Sequence, residues 1–211
     1  VQGVGFRPFV LRLAKELKLS GWVRTDAKGL EIEVRGPDLK IETMVERLQR
    51  EAPTFSRIDS LQRRTAETQE RGTGFEILDS LGGRAATMIR PDTAICRNCL
   101  QDMFDARGRR WRYAFTSCAH CGPRYTICRE LPFDRPRTSF AEFPLCNKCQ
   151  AEFQRPHDRH LHTAAISCPK CGPSLSLVNP VGRVLPGDPI AEALKLLREG
   201  KIVAIKGPGG F

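Results

Sequence analysis

Residues 117–126 read SCAHCGPRYT, and residues 167–176 read SCPKCGPSLS. One chain spells almost the same ten residues twice, fifty positions apart. Coincidence, a disulfide framework and a pair of metal sites would each account for it, and the cysteine spacing separates them. Cys96, Cys99, Cys118, Cys121, Cys146, Cys149, Cys168 and Cys171 form four C-x-x-C pairs, and Cys128 is left over. The pattern is C-x2-C-x18-C-x2-C, then 24 residues, then C-x2-C-x18-C-x2-C again. Each C-x-x-C knuckle sets two sulfurs on one ion, and two knuckles complete a tetrahedron. Bridges between adjacent knuckle cysteines are strained, disulfides favour secreted chains, and a redox C-x-x-C usually occurs once, beside a βαβ pattern. The spacing therefore predicts two closed four-cysteine zinc sites, which hold structure and have no open position for chemistry. Gly122-Pro123 and Gly172-Pro173 follow the closing knuckles, where a tight turn with a fixed exit is needed. A phenylalanine follows each opening knuckle, Phe104 five residues after Cys99 and Phe153 four after Cys149.

Charge argues the same way. The 211 residues are 40% apolar and 27% charged, with net charge +10. Residues 1–80 contribute +1, residues 81–174 contribute +7 and residues 175–211 contribute +2, so the excess sits with the cysteines. A positive excess invites a nucleic-acid partner. Four thiolates on Zn2+ carry a charge of about −2. Two such groups subtract four, taking the cysteine segment from +7 to +3 and the chain from +10 to +6. Arg107, Arg109, Arg110, Arg112 and Trp111, in RGRRWRY, still offer a basic run with aromatics suited to a nucleic-acid backbone, and that remains the minor alternative. No apolar run is long enough to span a membrane and no signal-peptide pattern opens the chain, so a cytoplasmic protein is expected. Cys128, in the apolar stretch YTICRELPF, is expected to be a small buried hydrophobe. His120 lies inside a knuckle already supplied with four sulfurs. His157, His160 and His162 read as a polar turn ahead of a third metal site, because no carboxylate or cysteine stands at matching spacing.

The chain opens VQGVGFRPFV. Val10, Leu13, Ala14 and Leu17 recur at helical spacing, so residues 8–19 are expected to form an amphipathic helix with Pro8 at its first position. A glycine turn feeding a helix N-terminus makes a cradle of backbone N–H groups for an anion, with Arg7 as a fork at its rim. The pattern then gives strands over 21–25 and 30–35 around a turn at 27–29, and a helix capped by Asp38 with Ile41, Met44, Val45 and Leu48 on one face. Strands over 58–65 and 75–78 complete an α-β-β-α-β-β order. With one more strand upstream of Val1 this is the α+β, ferredoxin-like fold.

Residues 80–86, SLGGRAA, and 178–187, VNPVGRVLPG, read as linkers. They divide the chain into residues 1–80, 81–178 and 187–211. In the last part Asp188 caps a helix with Pro189 first and Ile190, Leu194 and Leu197 on one face. A buried-type strand over 201–206 and a GPGGF turn follow, too little for a core, so this part looks like the start of an α/β domain.

VQGVGFRPFVLRLAKELKLSGWV resembles the acylphosphatase signature. The resemblance implies that the loop Gln2, Gly3, Val4, Gly5, Phe6 and Arg7 binds an acyl phosphate, with Arg7 catalytic. The family's water-positioning asparagine falls at Thr25, in GWVRTD, which puts hydrolysis in doubt. Together with CRNC, FTSCAHCGPRYTI, ELPFDRPRTSFAEFPLCNKC, SCPKCGP and GKIVAIKGPGGF, the chain resembles, over its whole length, the HypF family of carbamoyltransferases in [NiFe]-hydrogenase maturation. LHTAAISC departs from that family's usual F-H-A-Q-P run, although His162 keeps the histidine. The resemblance implies an acylphosphatase-like domain, a zinc-ribbon-like domain with two four-cysteine sites, and the beginning of a YrdC-like domain. It further implies carbamoyl phosphate as substrate, ATP with magnesium in the full-length protein, and transfer of the carbamoyl group to the C-terminal cysteine of a partner, HypE, on the way to a cyanide ligand. Lys206 would then lie near the nucleotide. A stand-alone acylphosphatase with a zinc docking module is the other reading.

Overall fold

The computed structural model describes residues 2–26, 28–65, 72–82, 88–208 and 210. Helix α1 runs over Phe6–Glu16, two residues earlier than the periodicity suggests, because Phe6 joins the apolar stripe of Phe9, Val10, Leu13 and Ala14. Gly5 caps it in the left-handed region, φ 75°, and the first helical bond runs from Phe9 N–H to Gly5 O at 3.1 Å. The C-terminus closes through Leu19 N–H to Ala14 O at 2.9 Å and Lys18 N–H to Lys15 O at 3.1 Å, with Lys18 left-handed at φ 56°. That is a Schellman end built without glycine.

Strand β1 (Ser20–Thr25) pairs antiparallel with β2 (Leu30–Arg35), Gly21 opposite Val34. Of the turn between them, Ala27 is outside the described residues. Lys28 and Gly29 donate their N–H groups to Asp26 Oδ1 at 2.8 and 2.7 Å. Helix α2 (Asp38–Arg50) is capped by Pro37, not by Asp38, which is the first helical residue and sets its charge in the first turn. Strand β3 (Phe75–Ile77) lies parallel to β1, giving the order β2-β1-β3. Leu13, Val23, Met44, Leu48 and Phe75 form the core between sheet and helices. The strand expected over 58–65 is absent: its two apolar residues, Ile58 and Leu61, are three apart and would face opposite sides of a strand. Ile58 packs onto the core and the chain then runs exposed.

The cysteine segment repeats its geometry as well as its letters. Helices α3 (Arg97–Phe104) and α4 (Asn147–Gln154) each start one residue after a knuckle cysteine in extended conformation, Cys96 or Cys146. Fifty residues apart, Arg112 and His162 both turn left-handed, φ 55° and 50°, and donate their N–H groups back to Met103 O and Phe153 O. The structural counterpart of Phe153 is therefore Met103, and Phe104 is exposed. Reciprocal ion pairs bind the two copies: Arg159 to Asp102, and Arg109 to Glu152, each partner fifty residues from its counterpart. A small core of Ile127, Phe133, Phe140, Ala164 and Ala165 lies beside them.

Leu161 of this segment is buried in the core of the first, so the two pack as neighbours. Of residues 80–86, the described ones are tied down: Leu81 N–H bonds Thr25 O at 3.0 Å. The other part of that stretch, 83–86, is outside the described residues. Residues 178–187 make a local hairpin, Val178 bridged to Val184. Asp188 caps helix α5 (Pro189–Arg198) as expected, accepting from Ile190 and Ala191 at 2.9 Å each. The expected strand over 201–206 is absent, for Ile202 is fully exposed at 100% and no strand among the described residues offers a ladder.

Candidate functional site

Two thiol clusters and one cleft are the candidate sites among the described residues. Cys96, Cys99, Cys118 and Cys121 converge, as do Cys146, Cys149, Cys168 and Cys171, each set with all four sulfurs within 4.8 Å of one another. Neighbouring sulfurs stand 3.8 Å apart in the first set and 3.5–3.8 Å in the second. A tetrahedron with Zn–S of about 2.3 Å has an edge of about 3.8 Å, so the donor set and its size fit zinc. These are the metal-type clusters among the described residues; His157, His160 and His162 form none. His120 offers only its backbone N–H to Cys118 Sγ, at 3.5 Å. Cys128 is half-buried, donates to Glu130 O at 3.3 Å, and burial pushes its thiol up.

Two arginines of the run RGRRWRY, Arg109 and Arg110, are turned inward, while Arg107, Trp111 and Arg112 are exposed. Arg109 places both terminal nitrogens 3.3 Å from Cys149 Sγ and pairs with Glu152. Arg110, only 4% exposed, bonds Ser167 O and Glu152, and Arg112 pairs with Asp188 at 3.0 Å. Burial alone would raise the Glu152 carboxyl; hydrogen bonds from Arg110 and Arg109 outweigh it and bring it down to about 2.

The cleft lies where the N-terminal turn meets the cysteine segment. Gln2, Gly3, Gly5, Phe6, Arg7 and Thr25 line one wall; Ala119, Arg124, Phe133 and His162 through Ala164 line the other. The structure thus brings together most of the loop expected to hold an anion. Val4 is the exception, its side chain buried in the core. Gly3 and Gly5 are left-handed, φ 68° and 75°, and a Cβ on them would meet Arg124 Cδ at 3.0 Å and Ala119 Cβ at 3.3 Å. Both the turn and the close approach require glycine. At the head of α1 the N–H groups of Phe6 and Arg7 precede the first intrahelical bond and face no intrahelical acceptor. Arg7 donates to Ser80 Oγ at 3.0 Å and pairs with Asp134 of the cysteine segment, which does not itself line the cleft. Thr25 is buried at the end of β1. Lys206 stands apart from the cleft lining, in the exposed C-terminal stretch.

Arg124 and His162 were not legible as cleft residues, nor Asp134 as the partner of Arg7. Arg124 is 3% exposed and uses its five N–H donors on five carbonyls: Gly3, Cys121, Pro123, Cys118 and Ala119. It fastens the glycine turn to the closing knuckle, while Gln2 Oε1 accepts from Phe133 N–H at 2.7 Å. One signal existed: Arg124 follows the first Gly-Pro, where the second copy has Ser174. Divergence between the copies marks the surface that one copy alone presents.

Comparison with known proteins assigns both parts. The Acylphosphatase family model matches residues 1–77, and the HypF finger model matches residues 95–128 and 145–178. Carbamoyltransferase HypF of Rhodobacter capsulatus is 44% identical over 211 residues, all of this chain and 28% of the relative. Carbamoyltransferase HypF2 of Cupriavidus necator is 49% identical over 214 residues, all of this chain and 26% of the relative. An acylphosphatase of Moorella thermoacetica is 38% identical over 82 residues, 38% of this chain and 86% of the relative. A crystal structure of full-length HypF in a phosphate- and nucleotide-bound form superposes with TM-score 0.89 at 41% identity, covering all of this chain and 28% of that one. The T. kodakarensis HypF structure gives 0.85 at 39% identity, covering 98% of this chain and 26% of that one. The chain spans about a quarter of the length of the HypF relatives it matches. With an acylphosphatase fold, paired four-cysteine clusters and whole-chain identity to carbamoyltransferases, the chain belongs to the HypF family.

Proposed function

We propose that this chain is the carbamoyl-phosphate-handling part of a carbamoyltransferase, and that the Arg7 cleft cleaves carbamoyl phosphate to carbamate and phosphate. The single observation that supports this is the cleft itself: two left-handed glycines, a helix head whose first N–H groups have no intrahelical acceptor and a guanidinium converge on one concave site. Arg7 supplies the fork that grips two phosphate oxygens, exchanging Asp134 for the ligand. The backbone N–H groups of the turn take the negative charge that gathers on the departing phosphate. Bound zinc would hold the Cys96, Cys99, Cys118, Cys121 set and the Cys146, Cys149, Cys168, Cys171 set, supplying the fold of the opposite cleft wall and no chemistry.

By the same kinship the carbamate passes to an ATP- and magnesium-dependent YrdC-like domain beginning near residue 187, with Lys206 toward the nucleotide. The carbamoyl group then goes to the C-terminal cysteine of HypE, for the cyanide ligands of a [NiFe]-hydrogenase in the cytoplasm. Residues 1–80 and 81–178 would be the acylphosphatase-like and zinc-bearing units. That a relative was crystallised with phosphate and nucleotide supports both sites. The nucleic-acid alternative is weakened, because Arg109 and Arg110 are engaged internally and only Arg107, Trp111 and Arg112 of its run stay exposed. The test is carbamoyl phosphate turnover by zinc-loaded chain carrying Arg7→Lys. A point charge cannot replace the fork, and kcat/KM is expected to fall about 100-fold. Undiminished turnover would remove the cleft as the site.

A further inference from the structure

We propose that His162, contributed by the cysteine segment, is a positioning residue of the cleft: its imidazole accepts a hydrogen bond from the water that attacks the acyl carbon. This rests on the reading of the Arg7 cleft given above and adds the residue that prepares the nucleophile. A phosphate fills the cleft's donors, which are Arg7 and the backbone N–H groups of the turn. An attacking water needs the opposite, an acceptor that holds one of its protons and leaves a lone pair aimed at carbon. Few groups on or beside the walls can accept. Asp134 is engaged by Arg7, and Arg124 is a donor with its N–H groups already used. Thr25 offers one small hydroxyl at the end of β1. His162 offers an imidazole nitrogen. Beside it on the same wall, the Thr163 hydroxyl is buried with no hydrogen-bond partner.

The imidazole is neutral at neutral pH. Burial and then the Arg7 charge bring its pKa down to about 4, against the opposing pull of Asp134 and Asp79. Its ring packs against Phe153 with centroids 4.9 Å apart, so its plane is held. The internal repeat explains why this side chain belongs to the cleft and not to the fold. Arg112, fifty residues earlier, makes the same left-handed turn and the same backbone bond, yet sends its side chain to Asp188. The turn is demanded by the four-cysteine unit; what projects from it is free to differ. In the step itself, the water oxygen bonds to the carbonyl carbon and the bond from that carbon to the bridging oxygen breaks. The electron pair leaves with the phosphate, which takes up the water's proton, and the products are carbamic acid and hydrogen phosphate.

The experiment measures kcat and KM for carbamoyl phosphate, and inorganic phosphate binding by calorimetry, on zinc-loaded chain with His162→Ala, His162→Gln and His162→Arg. His162→Ala is expected to lower kcat about 100-fold while KM and phosphate affinity stay within about threefold. His162→Gln, which keeps an acceptor, is expected to recover about a tenth of the activity or more. His162→Arg copies the residue its own repeat tolerates, so it keeps the turn even where alanine does not. It is expected to bind phosphate at least as tightly and still lose kcat. Unchanged kcat in His162→Ala or His162→Arg, with Arg7→Ala inactive, would overturn the role of His162 and leave the cleft standing. Absence of both turnover and phosphate binding in the unsubstituted chain would overturn the cleft reading and this proposal together.

Discussion

Arg124 shows how much one side chain joins. A buried guanidinium with a carbonyl on each of its five N–H groups is satisfied without a carboxylate; three of those carbonyls belong to the closing knuckle and a fourth to Pro123 just after it. Burial lowers its pKa, yet a guanidinium keeps its proton. Arg124→Met would leave those carbonyls without a donor and cost at least about 3 kcal/mol. Denaturant unfolding checks this, and a loss under about 1 kcal/mol would mean that water replaces the bonds. Thr25 is the other decisive residue. Its hydroxyl gives the cleft one short polar group, where an amide gives both a donor and an acceptor. Thr25→Asn is expected to raise carbamoyl phosphate turnover; equal or lower turnover would detach Thr25 from water placement. Thr25 and Arg7 could be read from the sequence because each sits in a fixed-length motif. His162 and Asp134 could not, because His162 lines the cleft and Asp134 meets Arg7 only through long-range packing of one segment on the other.

Among the elements, the end of α1 carries a visible strain. Lys18 occupies the left-handed position of a Schellman end, which glycine fills without a Cβ clash. Lys18→Gly is expected to stabilise the chain by about 0.5–1 kcal/mol, read as a shift in denaturant midpoint. A destabilisation would show that the lysine side chain contributes more than its backbone costs. Helices α1, α2 and α5 and the β1–β2 hairpin were legible because their periodicity is long and their termini carry turn residues, whereas α3 and α4, eight residues each, were not read as helices. The strands expected over 58–65 and 201–206 were not formed, for physical reasons that differ. The first lacks a consistent face, Ile58 and Leu61 having opposite parity. The second has the composition of a strand and, among the described residues, no neighbour to pair with, and Ile202 and Ile205 are left exposed. Strand character depends on a ladder, which a local pattern does not contain.

Across the whole molecule, the repeated knuckles build a scaffold whose two copies are held to each other by reciprocal ion pairs and which faces different neighbours. The second copy and the knuckle before Arg124 form a wall of the Arg7 cleft; the first copy reaches Asp188 at the head of α5 through Arg112. On the proposed reading, metal binding and the cleft would then be coupled, although none of the knuckle cysteines lines the cleft. A segment with so small an apolar core depends on its metals to fold. The most direct measurement is zinc content by native mass spectrometry with carbamoyl phosphate turnover on the same sample, before chelation, after it, and after zinc is returned. The account predicts about two zinc ions per chain, turnover and phosphate binding lost together on chelation, and both recovered with the metal. A metal-free chain that melts cooperatively and turns over carbamoyl phosphate at the undiminished rate would contradict it.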